Sequence, residues 1–201
     1  MKEKSFIKPV LFMAIITLLF AGSLAAVNYI TTDQIQFNQD AELRRKILNV
    51  FDRLPEEQDD ETIQTVFNEL IEEREIDGKP GYVLIEDGEE VAYALEVNGS
   101  GLWGSITGYL GLNQDLTETV GIDFTQQSET PGLGGLIDEQ PYKEQYRGID
   151  ISNPEGGNYL VNRPAPGGNI DAIAGATQTS NSVVNLINDD LDSFLSNPEV
   201  K

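Results

Sequence analysis

The residues best suited to chemistry stand in Asp171-Ala172-Ile173-Ala174-Gly175-Ala176-Thr177-Gln178-Thr179-Ser180. Three hydroxyls follow a backbone that carries almost no side chain at Gly175 and Ala176, so it can be approached closely. Val183, Val184, Leu186, Ile187, Leu191 and Phe194 come next, at spacings that make one apolar face of a helix. Thr177 is therefore expected at or just before a helix N-terminus, where free N–H groups and the macrodipole favour an anion such as phosphate. The plainer reading is that Thr177, Thr179 and Ser180 only offer N-caps.

Two further blocks carry unusual backbone. In Glu129-Thr130-Pro131-Gly132-Leu133-Gly134-Gly135 the Pro-Gly pair suits the centre of a type II turn. Bare amides beyond it suit a planar, polar-edged ring, although a turn between strand and helix would account for them equally well. In Gly101-Leu102-Trp103-Gly104, followed by Gly108-Tyr109-Leu110, the single tryptophan lies on glycine-flanked, bent chain. A tryptophan is more often core than contact surface, because of its large apolar area. Asp171 alone reads as an Asx turn. Arg163 and Lys143 are among the few cations here, and either could neutralise a phosphate.

In this order the three blocks resemble the FMN-binding domain of the C-type subunit of the Na+-translocating NADH:quinone reductase, a family shared with the G-type subunit of the RNF complex. The resemblance covers roughly residues 80–196 and, more loosely, the N-terminus. It implies FMN as cofactor, held covalently through its phosphate on Thr177 by a separate flavin transferase. Asp171, Gly175 and Ala176 would belong to the attachment motif. Glu129, Thr130, Gly132, Leu133 and Gly134 would face the flavin ring, with Leu102 and Trp103 close to it. Other subunits of a membrane redox complex are the implied partners. The motif departs from the family at Ala172 and Ala174, where Gly and Ser or Thr are usual. The Gly-Leu-Trp-Gly block looks closer to the quinone-reductase type. The G-type subunit of the RNF complex and a flavin-free, membrane-anchored scaffold are the alternatives.

The elements that must position these residues read as α+β. Pro9 begins an uncharged apolar run, and residues 9–29 are long enough to cross a bilayer as a single transmembrane helix. Lysines at 2, 4 and 8 precede it, so residues 1–8 are expected in the cytoplasm and the rest outside it, on the cell inner membrane. A cleaved signal peptide is the competing reading, since Ser23-Leu24-Ala25-Ala26 offers small residues. Residues 30–78 form a helical, acidic connection. Ile35, Phe37, Leu43, Ile47, Leu48 and Phe51 suit a helix that Pro55 stops, and a second helix is expected over 61–73, burying Val66, Leu70 and Ile71. Residues 79–201 form the FMN-binding domain, with antiparallel strands and a C-terminal helix. Strands are expected over 81–85 and 91–97 about Asp87-Gly88, then over 106–112 and 119–124. A short helical piece at 142–146 and a brief strand at 159–161 within a Pro- and Gly-rich loop complete the pattern.

Composition narrows the chemistry. The 201 residues include no Cys and no His, so no thiol nucleophile, His base, iron–sulfur ligand set or ordinary zinc site can be assembled from them. A redox role must borrow its chemistry from a cofactor. With 13 Lys and Arg against 34 Asp and Glu the net charge is −21, which repels nucleic acid.

Overall fold

A computed structural model describes residues 7–154 and 157–197. The charged segment 1–6 and the side chain of Phe37 lie outside the described residues. The chain divides into two compact units, Met1–Ala41 and Glu42–Lys201. The first unit is helical from Ile7 onward, and an 18-residue stretch within its residues 7–32 has a mean hydropathy of 2.5, apolar enough to cross a membrane. Helix α1 (Ile7–Val50) ends in the second unit, five residues before Pro55. Its stop is a Schellman motif and not the proline. Asp52 is left-handed (φ 57°), Arg53 N–H reaches Leu48 O at 2.8 Å, and Asp52 N–H reaches Asn49 O at 3.1 Å.

The second unit is a five-stranded antiparallel sheet in the order β1-β2-β3-β4-β5, formed by β1 (Ile71–Ile76), β2 (Lys79–Glu86), β3 (Glu89–Ser100), β4 (Ser105–Asn113) and β5 (Thr119–Gln126). Side chains alternate faces along each strand. Ala92 and Ala94 of β3, with Tyr82, Leu84 and Tyr109, join Ile47 and Leu48 of α1, Phe51 just past its end, and Ile63 and Phe67 of α2 (Asp60–Leu70) in one core. Leu95 and Val97 of the same strand, with Ile106, Leu110, Leu112, Ile122 and Phe124, meet Val183, Ile187, Leu191 and Phe194 of α4 (Thr177–Ser196) in the other. Each fully buried Val or Ile on that helix face stabilises the fold by about 1.5–3 kcal/mol. The α+β class and the C-terminal helix are as the sequence predicts.

The helix expected over 61–73 ends at Leu70, and Ile63 and Phe67 are its buried residues; Val66 and Leu70 are half-buried. Residues from Ile71 onward form β1 instead, with Ile71 half-buried, because Asp77-Gly78 (φ 53° and 75°) turns the chain into β2. Between β5 and α4 run a 3₁₀ turn (Gly134–Asp138), α3 (Gln140–Lys143) and a second 3₁₀ turn (Glu144–Tyr146). The strand expected at 159–161 is displaced. Tyr159 and Leu160 N–H groups both donate to the buried Asn188 side chain of α4, at 2.9 Å, and the strand that follows is the short β6 (Asn162–Arg163), paired with β7 (Ile170–Asp171).

Candidate functional site

Strand β7 delivers the chain to the loop before α4. Gly175 is left-handed (φ 79°), a conformation costly for any residue with a Cβ, and Ala176 then takes the N-cap position without a side-chain cap. Thr177 is the first helical residue, exposed, and among the described residues its hydroxyl has no hydrogen-bond partner. The other two hydroxyls are buried and engaged. Thr179 Oγ1 donates to Glu129 Oε2 at 2.6 Å. Ser180 Oγ accepts from Ile173 N–H at 2.9 Å and donates to Ala176 O at 3.2 Å. The capping role that three hydroxyls could have shared is therefore filled by none of them. Ser180 N–H to Ala176 O, at 3.0 Å, is the first helical bond, so the amides ahead of it point out of the helix end.

The three blocks converge on Glu129, which is 5 % exposed. Its Oε1 accepts from the backbone N–H groups of Leu102 at 2.8 Å and Trp103 at 3.0 Å, while Oε2 holds Thr179. The expected type II turn forms beside it. Gly132 has φ 72°, and Thr130 O accepts from Leu133 N–H at 3.1 Å and Gly135 N–H at 3.0 Å. A Cβ placed on Gly134 would lie 2.6 Å from Thr179 Oγ1, and one on Gly175 would lie 3.3 Å from Leu133 Cδ2. Leu133 and the acceptor loop are thus neighbours.

Trp103 is not core. It is 71 % exposed, on the four-residue turn between β3 and β4 that Gly101 N–H closes on Gly104 O at 2.7 Å. Leu102 and Leu133 are 47 % and 44 % exposed, and these three are the large apolar side chains left open among the described residues of the second unit. Asp171 makes no Asx turn; its carboxylate pairs with Arg163 at 2.9 Å and its N–H donates to Gln145. Lys143 is committed to the buried Asp123 at 2.9 Å, leaving Arg163 as the cation next to the motif. Burial pushes the Tyr142 phenol, hydrogen-bonded to Tyr146, up to about 12, so it is neither a base nor a charge at neutral pH.

From the sequence, Thr179 and Ser180 read as generic caps, and Glu129 is expected at the flavin ring; its bonds to Leu102, Trp103 and Thr179 are not among the expectations. The visible signal is the run of hydroxyls at 177, 179 and 180. Residues 177 and 180 are three apart and lie on neighbouring positions of one helix face, so their spacing alone does not separate their environments.

An exposed hydroxyl at an uncapped helix start, open apolar side chains and glycine-lined backbone together fit a flat group carrying a phosphate. The FMN-binding domain family matches residues 101–192, and the RnfG N-terminal region matches residues 1–50. The G-type subunit of the ion-translocating oxidoreductase complex of Shewanella piezotolerans is 30% identical over 192 residues, 92% of this chain and 87% of that one. The C-type subunit of the Na+-translocating NADH-quinone reductase of Pseudomonas aeruginosa is 34% identical over 129 residues, 58% of this chain. The match spans about half (49%) of the length of that protein. In structure, the C-type subunit from Parabacteroides distasonis superposes with a TM-score of 0.65 at 26% identity, over 81% of this chain and 95% of that one. End-to-end similarity to one type, a shared domain with the other and a common fold agree: the chain belongs to the family of FMN-binding electron-transport subunits that comprises the C type of the Na+-translocating NADH-quinone reductase and the G type of ion-translocating oxidoreductase complexes.

Proposed function

We propose that this chain is the electron-carrying subunit of a membrane-bound, ion-translocating oxidoreductase, with FMN joined to Thr177 Oγ1 as a phosphoester by a separate flavin transferase. The observation that carries the proposal is the different fate of three neighbouring hydroxyls: Thr179 and Ser180 are buried and bonded, whereas Thr177 is exposed and its hydroxyl has no partner among the described residues. Bound FMN supplies the ring that takes up and gives back electrons. The chain's own residues then have physical tasks. The first-turn amides of α4 stabilise the phosphate charge, an effect of about 0.3–1 kcal/mol at an exposed helix end. Leu102, Trp103 and Leu133 keep water from the ring's apolar part, and the backbone of residues 130–135 offers polar groups to its edge. A covalent tether removes dissociation, which suits a carrier outside the cytoplasm. That placement follows from the lysines ahead of the apolar helix. Ion movement falls to other subunits, because the apolar stretch 9–27 carries no charge.

Between the two complexes, similarity along nearly the whole chain favours the G type. The quinone-reductase reading, which Gly101-Leu102-Trp103-Gly104 suggests, is the second. Proteins that co-purify with the tagged chain distinguish them. The cofactor is tested by expressing the full chain with an active flavin transferase and viewing a denaturing gel under ultraviolet light. A fluorescent band, with the mass of one FMN residue on the peptide containing Thr177, is expected. A dark band of unmodified mass would leave a flavin-free scaffold.

A further inference from the structure

Among the described residues, Glu129 is the side chain that hydrogen-bonds both the turn bearing Leu102 and Trp103 and the helix bearing Thr177. Its two oxygens take three hydrogen bonds, from groups 26, 27 and 50 residues away in sequence. The slot around it is shaped by glycines from two of the motif blocks. A Cβ on Gly101 would come within 2.5 Å of Glu129 Oε1, and one on Gly134 within 2.8 Å of Oε2. The backbone of Glu129 is itself fixed, its N–H donating to Gln127 Oε1 at 2.7 Å while Gln127 Nε2 holds Asp138 at 2.8 Å. A backbone N–H can only donate, so removing the carboxylate leaves two backbone donors and one hydroxyl without partners.

From this we infer that Glu129 is a positioning residue: its carboxylate pins the 101–104 turn to the first turn of α4, and so sets Leu102 and Trp103 at a fixed place relative to Thr177. The geometry stands by itself, and its consequence for flavin rests on the function proposed above. The glycines of the two motif blocks are then explained by one requirement, room for this carboxylate. Thr179 acts as its anchor on the helix, which is also what withdraws that hydroxyl from modification.

Trp103 is the only tryptophan, so its emission reports on the turn without a label. The experiment uses the full chain in detergent, without transferase, and reads Trp103 anisotropy and acrylamide quenching well below the melting temperature. Glu129→Ala is expected to lower the anisotropy and raise the quenching constant about twofold or more, with an unchanged far-ultraviolet circular dichroism spectrum. Glu129→Gln keeps an oxygen for both N–H groups and is expected to stay near wild type. Thr179→Val, which frees only one oxygen, should loosen Trp103 less, and adding it to Glu129→Ala should change nothing more. A Glu129→Ala protein that melts earlier yet keeps wild-type Trp103 anisotropy would overturn the inference, since the residue would then matter for stability alone. If Glu129→Ala does not fold, Gly134→Ala takes its place. The new Cβ displaces the carboxylate, Trp103 is expected to loosen, and an unchanged Trp103 would overturn the inference. With transferase present, Glu129→Ala is expected to carry several-fold less FMN than Glu129→Gln. Should the wild-type chain take no FMN while the Trp103 result holds, the cofactor reading falls and the positioning role survives.

Discussion

Two helices of the globular unit begin in opposite ways. Helix α2 starts on Asp59, whose Oδ1 accepts from the Glu61 and Thr62 N–H groups at 3.1 and 3.0 Å, with Asp60 and Glu61 in its first turn. That is an N-terminus closed by its own side chains, as stability alone would favour. Helix α4 starts on Ala176, with no side-chain cap and no acid in its first turn, although hydroxyls stand at 177, 179 and 180. The helix with more capping material leaves its end open, and turns two of its hydroxyls inward to Glu129 and to the loop. On the proposed function, the contrast separates a terminus closed for folding from one left open for the cofactor phosphate. It also makes opposite demands on mutation: loss of stability with no loss of cofactor at Asp59 of α2, and the reverse at Thr177 of α4.

The sharpest test is at the open end. Thr177→Ala is expected to abolish flavin fluorescence in the denatured band completely, while stability changes by less than about 0.5 kcal/mol, as for an exposed residue without partners. Thr177→Ser keeps a hydroxyl at the same place and is expected to retain some flavin. If Thr177→Ala stays fluorescent, the tether is elsewhere and the contrast between the two termini loses its meaning. Next in size is Gly175→Ala. The left-handed backbone at φ 79° makes the added Cβ cost about 1–2 kcal/mol, and the methyl would also press on Leu133 Cδ2 at 3.3 Å. A urea titration should show that loss, together with lowered flavin loading. Unchanged stability would mean that the loop before α4 is free to take another path.

How much of this can be read from the residues alone differs between the two ends. The apolar face of α4 is legible, because residues 183, 187, 191 and 194 keep the helical period and land in one core. The β2–β3 hairpin is legible from Asp87-Gly88, both with positive φ. The equivalent Asp77-Gly78 announces β1 just as clearly, but four charged residues between Ile71 and Ile76 look like helix surface, and the strand's edge position is what tolerates them. Within the site the motif blocks can be recognised, and their contacts cannot. The Trp103 backbone N–H is held by a carboxylate 26 residues away, and no local pattern encodes that. Nor does any spacing reveal that Thr179 turns inward to Glu129, 50 residues before it, while Thr177 turns out.

The smallest effect belongs to the closed end, and its sign follows from the capping carboxylate. Hydrogen bonds, from Thr62 first, hold the Asp59 carboxyl below its ordinary value of 3.8. A group whose folded pKa is depressed contributes stability above its unfolded pKa, and that contribution is lost as pH falls through the folded value. Asp59→Ala should therefore lower the melting temperature slightly at neutral pH, and the deficit should shrink once the pH drops below about 3.8. Flavin loading should be that of the wild type throughout, because no bond of Asp59 reaches α4. Thermal melts of both proteins across that range, scored beside gel fluorescence, test the two halves separately. A deficit that persists in acid would mean that Asp59 acts through packing and not through charge. Reduced loading would show that the two helix ends are coupled, and would end the division of labour drawn between them.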